Sequence, residues 1–205
     1  MFFSFDGVDG VGKTTQIKRF AQWLSADGYQ VTSCRDPGST PLGESIRQIL
    51  LSLDQGPIST RSEMLLYMAA RAQLVEERIF PALDAGQVVV SDRYLLANVV
   101  YQGYAGGLNP ETLWQVGAIA TCGLQPDLTF LLDMPPEQAT LRIGRELDRM
   151  ESKDPHYRLK LREGFLTEAR RHADRIVVID ASQSIEQVHA DVCAAAAKML
   201  QWAAK

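Results

Sequence analysis

The chain has 205 residues, of which 46% are hydrophobic and 22% are charged, as is typical of one globular domain. Its formal net charge of −4 excludes the globally basic surface that nucleic-acid binding requires, so no nucleic-acid partner is expected. No apolar run approaches the ~18 residues of a membrane span, and no basic leader precedes the first predicted strand, so we expect no membrane partner. The cysteines are too scattered for a disulfide framework or a zinc site, so we expect a cytoplasmic protein.

The N-terminal segment carries the most specific local pattern. Residues 2–5 form an apolar run that predicts a buried strand, and the pattern G-x-x-x-x-G-K-[ST] follows it. The four residues that fill this pattern are Gly7, Gly12, Lys13 and Thr14. In such a loop the backbone N–H groups point at phosphate oxygens, the lysine reaches the outer phosphates, and the hydroxyl can bind Mg²⁺. Residues 15–25 continue as an amphipathic helix, so the context favours a nucleoside triphosphate site over a chance match.

Strands and helices alternate through the rest of the chain. Further strands are predicted at 29–33, 87–91, 128–132 and 175–179. Helices are predicted at 42–53, 61–85, 94–103, 110–121, from Pro135 to about residue 171, and from residue 184 to the end. Ser59 or Thr60 caps the long helix at 61–85, and Pro81 kinks it or ends its regular part. This alternation predicts an α/β fold, with a five-stranded parallel sheet and helices on both faces, in a single domain over 1–205.

Each predicted strand ends in a polar or charged cluster. These ends are the loop at 6–14, Arg35-Asp36, Asp92-Arg93, Asp133 and Asp180. Ligands of parallel sheets bind at the carboxyl ends of the strands, so these clusters predict the position of the site. Asp92 is the better metal candidate because Arg93 follows it, and we expect it to bind Mg²⁺ together with Thr14. Asp133 stands just before two prolines, and we expect it to cap a helix.

The candidate cations lie after strand ends or on the helices beneath them. Phosphoryl transfer between two polyanions requires positive charge between them. The candidates are Arg35, Arg47, Arg71 and Arg93. Residues 142–162 hold the sharpest concentration of charge, which suits a mobile lid over about 142–156 that closes on the donor phosphates. The alternative for this segment is an exposed helix laced with ion pairs.

Motifs along nearly the whole chain resemble those of thymidylate kinases, of the bacterial type that carries arginines in the lid. The matching stretches are FDGVDGVGKTT, RDPGSTPLGE, YMAARAQLVEERIFPAL, SDRY, NVVYQG, ELDRMES and IDASQSIEQV. The phosphate loop alone is shared with many nucleotide-binding proteins, whereas the loop at 35–44, the long-helix motif and SDRY are more specific. The resemblance implies a P-loop NTPase fold and the reaction ATP + dTMP → ADP + dTDP, with Mg²⁺, in dTTP synthesis for DNA replication.

The resemblance also implies a role for individual residues on the donor side. The loop residues expected to hold ATP are Gly7, Val8, Asp9, Gly10, Val11, Gly12, Lys13, Thr14 and Thr15. From the lid, Arg142 and Arg145 are expected to reach the donor phosphates, and Arg149 matches the family motif directly. The implied catalytic residues are Lys13, Arg93, Arg149 and Asp9.

On the acceptor side the resemblance implies that Asp9 lies near the sugar 3′-hydroxyl, and that Arg47 and Arg93 hold the acceptor phosphate. Tyr67 is expected to stack on thymine and Arg71, one helical turn later, to bond its carbonyl oxygen; their spacing of four places both on one helix face. The remaining expected contacts are Asn98 and Gln102 with the base edge and Tyr101 with the deoxyribose.

The chain departs from the family pattern at several positions. Asp6 and Asp36 stand where the family usually has Glu, which shortens their reach by one methylene, and Tyr67 replaces the usual Phe. In the lid the usual Arg-Gly order is reversed as Gly144-Arg145, so either Arg142 or Arg145 can face the phosphates. Gly10 stands where an arginine inside the phosphate loop would otherwise supply a cation.

Two other functions remain open from the residues themselves. Another nucleoside or nucleotide kinase would have the same fold. A P-loop switch or binding module would hydrolyse triphosphate without an acceptor, but the N-K-x-D motif expected of a guanine switch is absent. The resemblance further implies a homodimer, with which the apolar faces of the helices at 42–53 and 61–85 are compatible.

Overall fold

A computed structural model of the chain describes residues 1–52, 56–143, 149–150 and 155–203. Its centre is one parallel sheet, with the strands in the order β2-β3-β1-β4-β5. The strands are β1 Phe2–Asp6, β2 Val31–Arg35, β3 Val88–Asp92, β4 Leu128–Asp133 and β5 Ile176–Asp180. Because β1 lies between β3 and β4, the loop that follows it opens at the switch point of the sheet, where ligands of such folds bind. The predicted fold class is confirmed.

The helices of the described residues flank this sheet. They are α1 Lys13–Ala26, α2 Pro41–Leu51, α3 Thr60–Leu74, α4 Phe80–Asp84, α5 Leu95–Asn98, α6 Pro110–Ala120, α7 Pro136–Leu141, α8 Pro155–Arg171 and α9 Ile185–Ala203. Ser59, one of the two predicted caps, caps α3 by accepting a hydrogen bond from the N–H of Ser62. No helix in the described part of the chain is long and apolar enough to cross a membrane.

Both faces of the three central strands, β1, β3 and β4, are buried, as their apolar runs predict. Phe3 and Phe5 of β1 point to one face, where their rings pack edge-on against Phe20 of α1. Phe2 points to the other face and packs edge-on against Tyr94, with ring centroids 4.9 Å apart. Alternating side chains of one strand therefore anchor helices on both sides, and this packing fixes the loop between β1 and α1.

Three predicted helices differ from the structure, and one of them, 94–103, consists of α5 and a π-helical segment Val99–Tyr104. The helix at 61–85 consists of α3, a π-helical segment Val75–Ile79 and α4, so a wide turn precedes Pro81. The helix predicted from Pro135 to residue 171 is wrong as one element, because α7 ends at Leu141 and α8 begins at Pro155. Residues 144–148 and 151–154, which fall within the predicted lid, lie outside the described residues.

Candidate active site

The loop between β1 and α1 forms one wall of a cavity of about 780 Å³, called here the donor cavity. Its residues from Asp9 to Thr15 line the cavity. Gly7 has φ 134°, and a Cβ there would lie 2.4 Å from the carbonyl oxygen of Leu132, so only glycine fits so close to β4. Gly12 has φ 95° and directly precedes α1, whose first residues line the cavity and whose first-turn N–H groups have no partner within the helix. The predicted phosphate site therefore has the required backbone.

Lys13 lies folded over this loop. Its Nζ donates hydrogen bonds to the carbonyl oxygens of Gly7 (3.1 Å) and Val8 (2.9 Å) and lies 3.7 Å from Asp9 Oδ1. Burial and the neighbouring Arg93 guanidinium lower the pKa of Lys13. Gly7 and Val8, which were expected to hold ATP, thus contribute their carbonyl groups to the lysine in this conformation.

Arg93 follows β3 with a left-handed backbone, φ 68°, which is unusual for a residue with a side chain. Its Nη1 donates to the Gly7 carbonyl (2.9 Å), and its Nη2 donates to Asp9 Oδ1 (2.6 Å) and to the Tyr101 hydroxyl (3.1 Å). Burial alone would lower the pKa of Arg93, but the acids around it, Asp9 first, hold the pKa well above its usual value. Arg93 is therefore a permanent cation beside the phosphate loop.

Asp9 lies between this cation and a tyrosine. Its Oδ2 accepts a hydrogen bond from the Tyr101 hydroxyl (3.0 Å). Burial would raise the pKa of Asp9, but Arg93 and Lys13, together with the Tyr101 hydrogen bond, outweigh burial and hold the pKa well below its ordinary range. The carboxylate is thus ionised, and it can accept a hydrogen bond from a sugar hydroxyl.

A second cavity, called here the acceptor cavity, adjoins the donor cavity. Its lining includes Tyr67, Arg71, Asn98, Tyr101 and Gln102, which are the five residues predicted to contact the base and the sugar. The structure therefore brings together residues from α3, α5 and the π-helical segment Val99–Tyr104 that follows α5. Segments of this kind occur frequently at functional sites.

Four residues line both cavities and so mark the place where they meet. They are Asp9, Asp36, Arg47 and Arg93. Arg47 of α2 donates to the carbonyl of Pro37 (3.2 Å), and burial lowers its pKa. Two arginines at this junction can hold an acceptor phosphate next to the donor phosphates.

Arg71 is almost completely buried, with 1% of its surface exposed. Its Nε donates to Asp36 Oδ2 (2.5 Å) and its Nη1 to Asn98 Oδ1 (3.1 Å). Asp36 therefore reaches Arg71 in spite of its shorter side chain. Asp6 accepts no hydrogen bond from the described residues: both of its carboxylate oxygens are buried, and its nearest cation, Arg93 Nη1, forms an ion pair with Oδ1 at 3.9 Å.

The metal candidates are near the phosphate loop. Thr14 and Asp92 both line the donor cavity. Among the described residues no group of three His, Cys, Asp or Glu side chains could hold an ion. Mg²⁺ in kinases is held by one or two protein ligands together with substrate phosphates and waters, so a threonine hydroxyl and one carboxylate fit this ion.

Asp133 at the end of β4 and the described lid arginines, Arg142 and Arg149, have hydrogen-bond partners in other parts of the chain. Asp133 was expected to cap a helix, and this is wrong: its carboxylate accepts two hydrogen bonds of 2.8 Å from Arg162 of α8, and α7 has no side-chain cap. Arg142 lines the donor cavity, as expected, and donates to the carbonyl of Ala181 (3.2 Å). Arg145 lies outside the described residues. Arg149 is absent from the described lining of the donor cavity, and instead its Nη1 donates to Glu63 Oε1 (2.5 Å).

Two parts of the site were missed by sequence reasoning. The turn after β5 supplies Ala181, Gln183 and Ile185 to the donor cavity. Asp180 at the end of β5 was among the strand ends predicted to mark the site, but the residues that follow it were not named. The other is Glu63, which lies on α3 four residues before Tyr67, so helical spacing could have indicated it. A separate cavity of about 340 Å³, whose lining includes Trp114 and His172, contains none of the predicted site residues.

Comparisons with known proteins indicate the family of the chain. The family model described as thymidylate kinase matches residues 5–192. A thymidylate kinase of Thermoanaerobacter sp. (strain X514) is 45% identical over 192 residues, covering 93% of this chain and 94% of that protein. A thymidylate kinase of Caldanaerobacter subterraneus subsp. tengcongensis is 44% identical over 203 residues, covering 98% and 97%. The crystal structure of thymidylate kinase from Ehrlichia chaffeensis superposes with a TM-score of 0.77 at 30% identity and covers 98% of both chains.

Proposed function

The chain belongs to the thymidylate kinase family, and we propose that its two adjoining cavities transfer the γ-phosphoryl group of ATP to dTMP. An oxygen of the dTMP phosphate attacks the γ-phosphorus, the bond to the β-phosphate oxygen breaks, and ADP leaves with the electron pair. The product, dTDP, is the precursor of dTTP for DNA replication. The whole chain, 1–205, works as one kinase domain in this proposal.

The observation that carries this proposal is the junction of the two cavities. Asp9, Arg47 and Arg93 line both of them, so cations and an ionised carboxylate lie where a donor and an acceptor phosphate would meet. Catalysis of phosphoryl transfer is mostly positioning and charge stabilisation, and this junction supplies both.

The acceptor residues keep the roles that the resemblance implies. Tyr67 offers a ring face to the thymine, while Arg71 supplies directed N–H donors for a carbonyl oxygen of the base. Asn98 and Gln102 are directed at the base edge. Asp9 and Tyr101 are hydrogen-bonded to each other at 3.0 Å, which suits a joint contact with the sugar.

On the donor side, the backbone of the loop and Lys13 hold the phosphates of ATP. Lys13 would leave its present partners, the carbonyls of Gly7 and Val8, and move to the outer phosphates. Thr14 and Asp92 would hold Mg²⁺, which neutralises phosphate charge when it is bound. Arg142 lies on the cavity wall, and it and Arg145 remain the candidates for contacts from the lid over about 142–156.

A homodimer through α2 and α3 is part of the proposal. Leu42 and Ile49 of α2 and Leu65 of α3 are exposed, and α2 packs against α3, so these side chains suit burial against a second copy. Light scattering should give twice the chain mass for the wild type and the mass of one chain for Leu65→Lys. A cytoplasmic location is also proposed, since all three cysteines are free.

The activity is tested by measuring ADP formation from ATP with each nucleoside monophosphate in turn. We expect fast turnover with dTMP and almost none without an acceptor. Equal turnover with and without dTMP would indicate a hydrolytic switch or ATPase, and preference for another monophosphate would assign the chain a different acceptor.

A further inference from the structure

The polar side chains of the acceptor cavity form one directed chain of hydrogen bonds. Arg71 Nη1 donates to Asn98 Oδ1 (3.1 Å), and Asn98 Nδ2 donates to Gln102 Oε1 (2.6 Å). Gln102 Nε2 then donates to Glu63 Oε2 (3.2 Å). A guanidinium can only donate and a carboxylate can only accept, so the two ends of the chain determine which way both amide groups point.

Glu63 ends this chain behind the wall of the cavity. Its side chain is buried, with 2% of the residue exposed, and it is not among the residues that line the acceptor cavity. It lies four residues before Tyr67 and eight before Arg71 on α3, so the three share one helix face. Glu63 therefore acts on a bound base through Gln102 and Asn98 and does not touch the base itself.

The second carboxylate oxygen of Glu63 accepts from Arg149. Arg149 Nη1 lies 2.5 Å from Glu63 Oε1, and Arg149 Nε donates to the carbonyl of Leu50 in α2 (2.7 Å). The carboxylate thus accepts from an amide on one side and from a guanidinium on the other. A glutamine at this position could accept from only one of them, because its NH₂ group would face the other donor.

The ion pair between Glu63 and Arg149 also fixes the position of Met150, the next residue along the chain. Met150 is buried and lines the acceptor cavity together with Tyr101. If Arg149 left Glu63, a buried carboxylate would lose its cation, which is strongly unfavourable. The position of residues 149–150 and the orientation of the base-facing amides are therefore thermodynamically linked.

We propose that Glu63 is a positioning residue that couples Arg149 to the amides that contact the base. With Arg149 bound to Glu63, Gln102 and Asn98 are held for the base and Met150 completes the cavity wall. The inference rests on the proposed function, because the coupling acts on the binding of the nucleoside monophosphate.

A double-mutant cycle tests the coupling. Glu63→Gln and Arg149→Ala should each raise the dissociation constant of dTMP, measured by calorimetry without ATP, about tenfold, or about 1.4 kcal/mol. The double variant should bind dTMP no more than about tenfold more weakly than the wild type, because each single change already breaks the pair. The KM for ATP should stay within about twofold for Glu63→Gln, which also verifies that this variant is folded.

A matched cycle provides the control. Glu168 is also fully buried and accepts hydrogen bonds from Tyr104 (2.6 Å) and Trp114 (3.0 Å), but it makes no contact with Arg149. Glu168→Gln combined with Arg149→Ala should therefore give additive effects. If Glu63→Gln does not fold, Glu63→Asp replaces it, since the shorter carboxylate cannot reach both donors.

Three results would overturn the inference. They are independent effects of Glu63→Gln and Arg149→Ala, wild-type binding of dTMP by Glu63→Gln, and a loss confined to kcat in Arg149→Ala. Failure of the proposed function gives a different result, namely a wild type that neither binds nor phosphorylates dTMP. The same cycle is then measured with the monophosphate that is phosphorylated, so the coupling is still decided.

Discussion

Asp6 ends β1 as a buried carboxylate without a hydrogen bond from the described residues, and this gives a sharp prediction about stability. Burial raises its pKa from 3.8 to about 7, against the opposing attraction of Arg93 and Lys13. Relative to the unfolded chain, this pKa corresponds to a cost of about 4 kcal/mol for ionising Asp6 in the folded protein. The folded state therefore binds this proton more tightly than the unfolded state does.

The direction of the pH dependence follows from linkage. Since the folded-state pKa lies above the unfolded value, the contribution of Asp6 to stability falls as pH rises from about 4 through about 7, and the deficit is complete above that. At pH 5 only part of this loss of stability is present. Asp6→Asn removes the titration, so it should stabilise the protein by about 3 kcal/mol more at pH 8.5 than at pH 5.

Urea unfolding followed by circular dichroism at both pH values measures this difference. The control is Asp180→Asn: Asp180 is exposed and its hydrogen bonds from Ser182 lower its pKa, so it stays ionised at both pH values and the effect of its replacement should be the same at both. If Asp6→Asn destabilised the protein equally at both pH values, Asp6 would be ionised and paired, and the reasoning would fail.

Three further predictions concern the reaction. Lys13→Ala should fold normally, as judged by circular dichroism, but lose at least about 100-fold in kcat, because the proposed contact of its ammonium group with the outer phosphates stabilises charge in the transition state. Tyr67→Phe should have little effect on kcat/KM, whereas Tyr67→Ala should lose about 1–3 kcal/mol with every base alike, because only the ring face is needed. Arg71→Ala should lower kcat/KM strongly for dTMP and little for dCMP, because cytosine has an amino group where thymine has the carbonyl oxygen that Arg71 is proposed to bind. Both substrates are compared in an Asp36→Asn background, so that the substitution leaves no buried carboxylate unpaired. An equal loss of kcat/KM for both substrates would make Arg71 a structural or phosphate-binding group.

The parts of the site that the sequence predicts well are local. The phosphate loop is one continuous pattern, and each predicted strand lies within two residues of the observed one. Tyr67 and Arg71 share a helix face because four residues are about one helical turn. In each case the residues that determine the structure are neighbours along the chain.

The partner of an acid at the end of a strand depends on tertiary packing and cannot be predicted from its neighbours along the chain. Asp92 and Asp133 both end apolar strands, and the residues that follow them, Arg93 in one case and two prolines in the other, do not determine which cation each carboxylate meets. In the folded chain Asp92 lines the donor cavity, whereas Asp133 is bound by Arg162, which lies 29 residues further along the chain. Which cation reaches a carboxylate is decided by how helices pack on the sheet, and the expected capping role of Asp133 was wrong for this reason.

The sequence shows that glycine, not arginine, stands at position 10 of the phosphate loop, but only the fold shows the steric reason. The φ of Gly10 is 88°, and a Cβ there would lie 2.1 Å from the carbonyl oxygen of Ala139 in α7. No side chain fits there while α7 packs against the loop, so the additional cation must come from outside it. Arg142, just after α7, already lines the donor cavity, whereas Arg149 is bound to Glu63. Arg142 is therefore better placed than Arg149 to approach the donor phosphates.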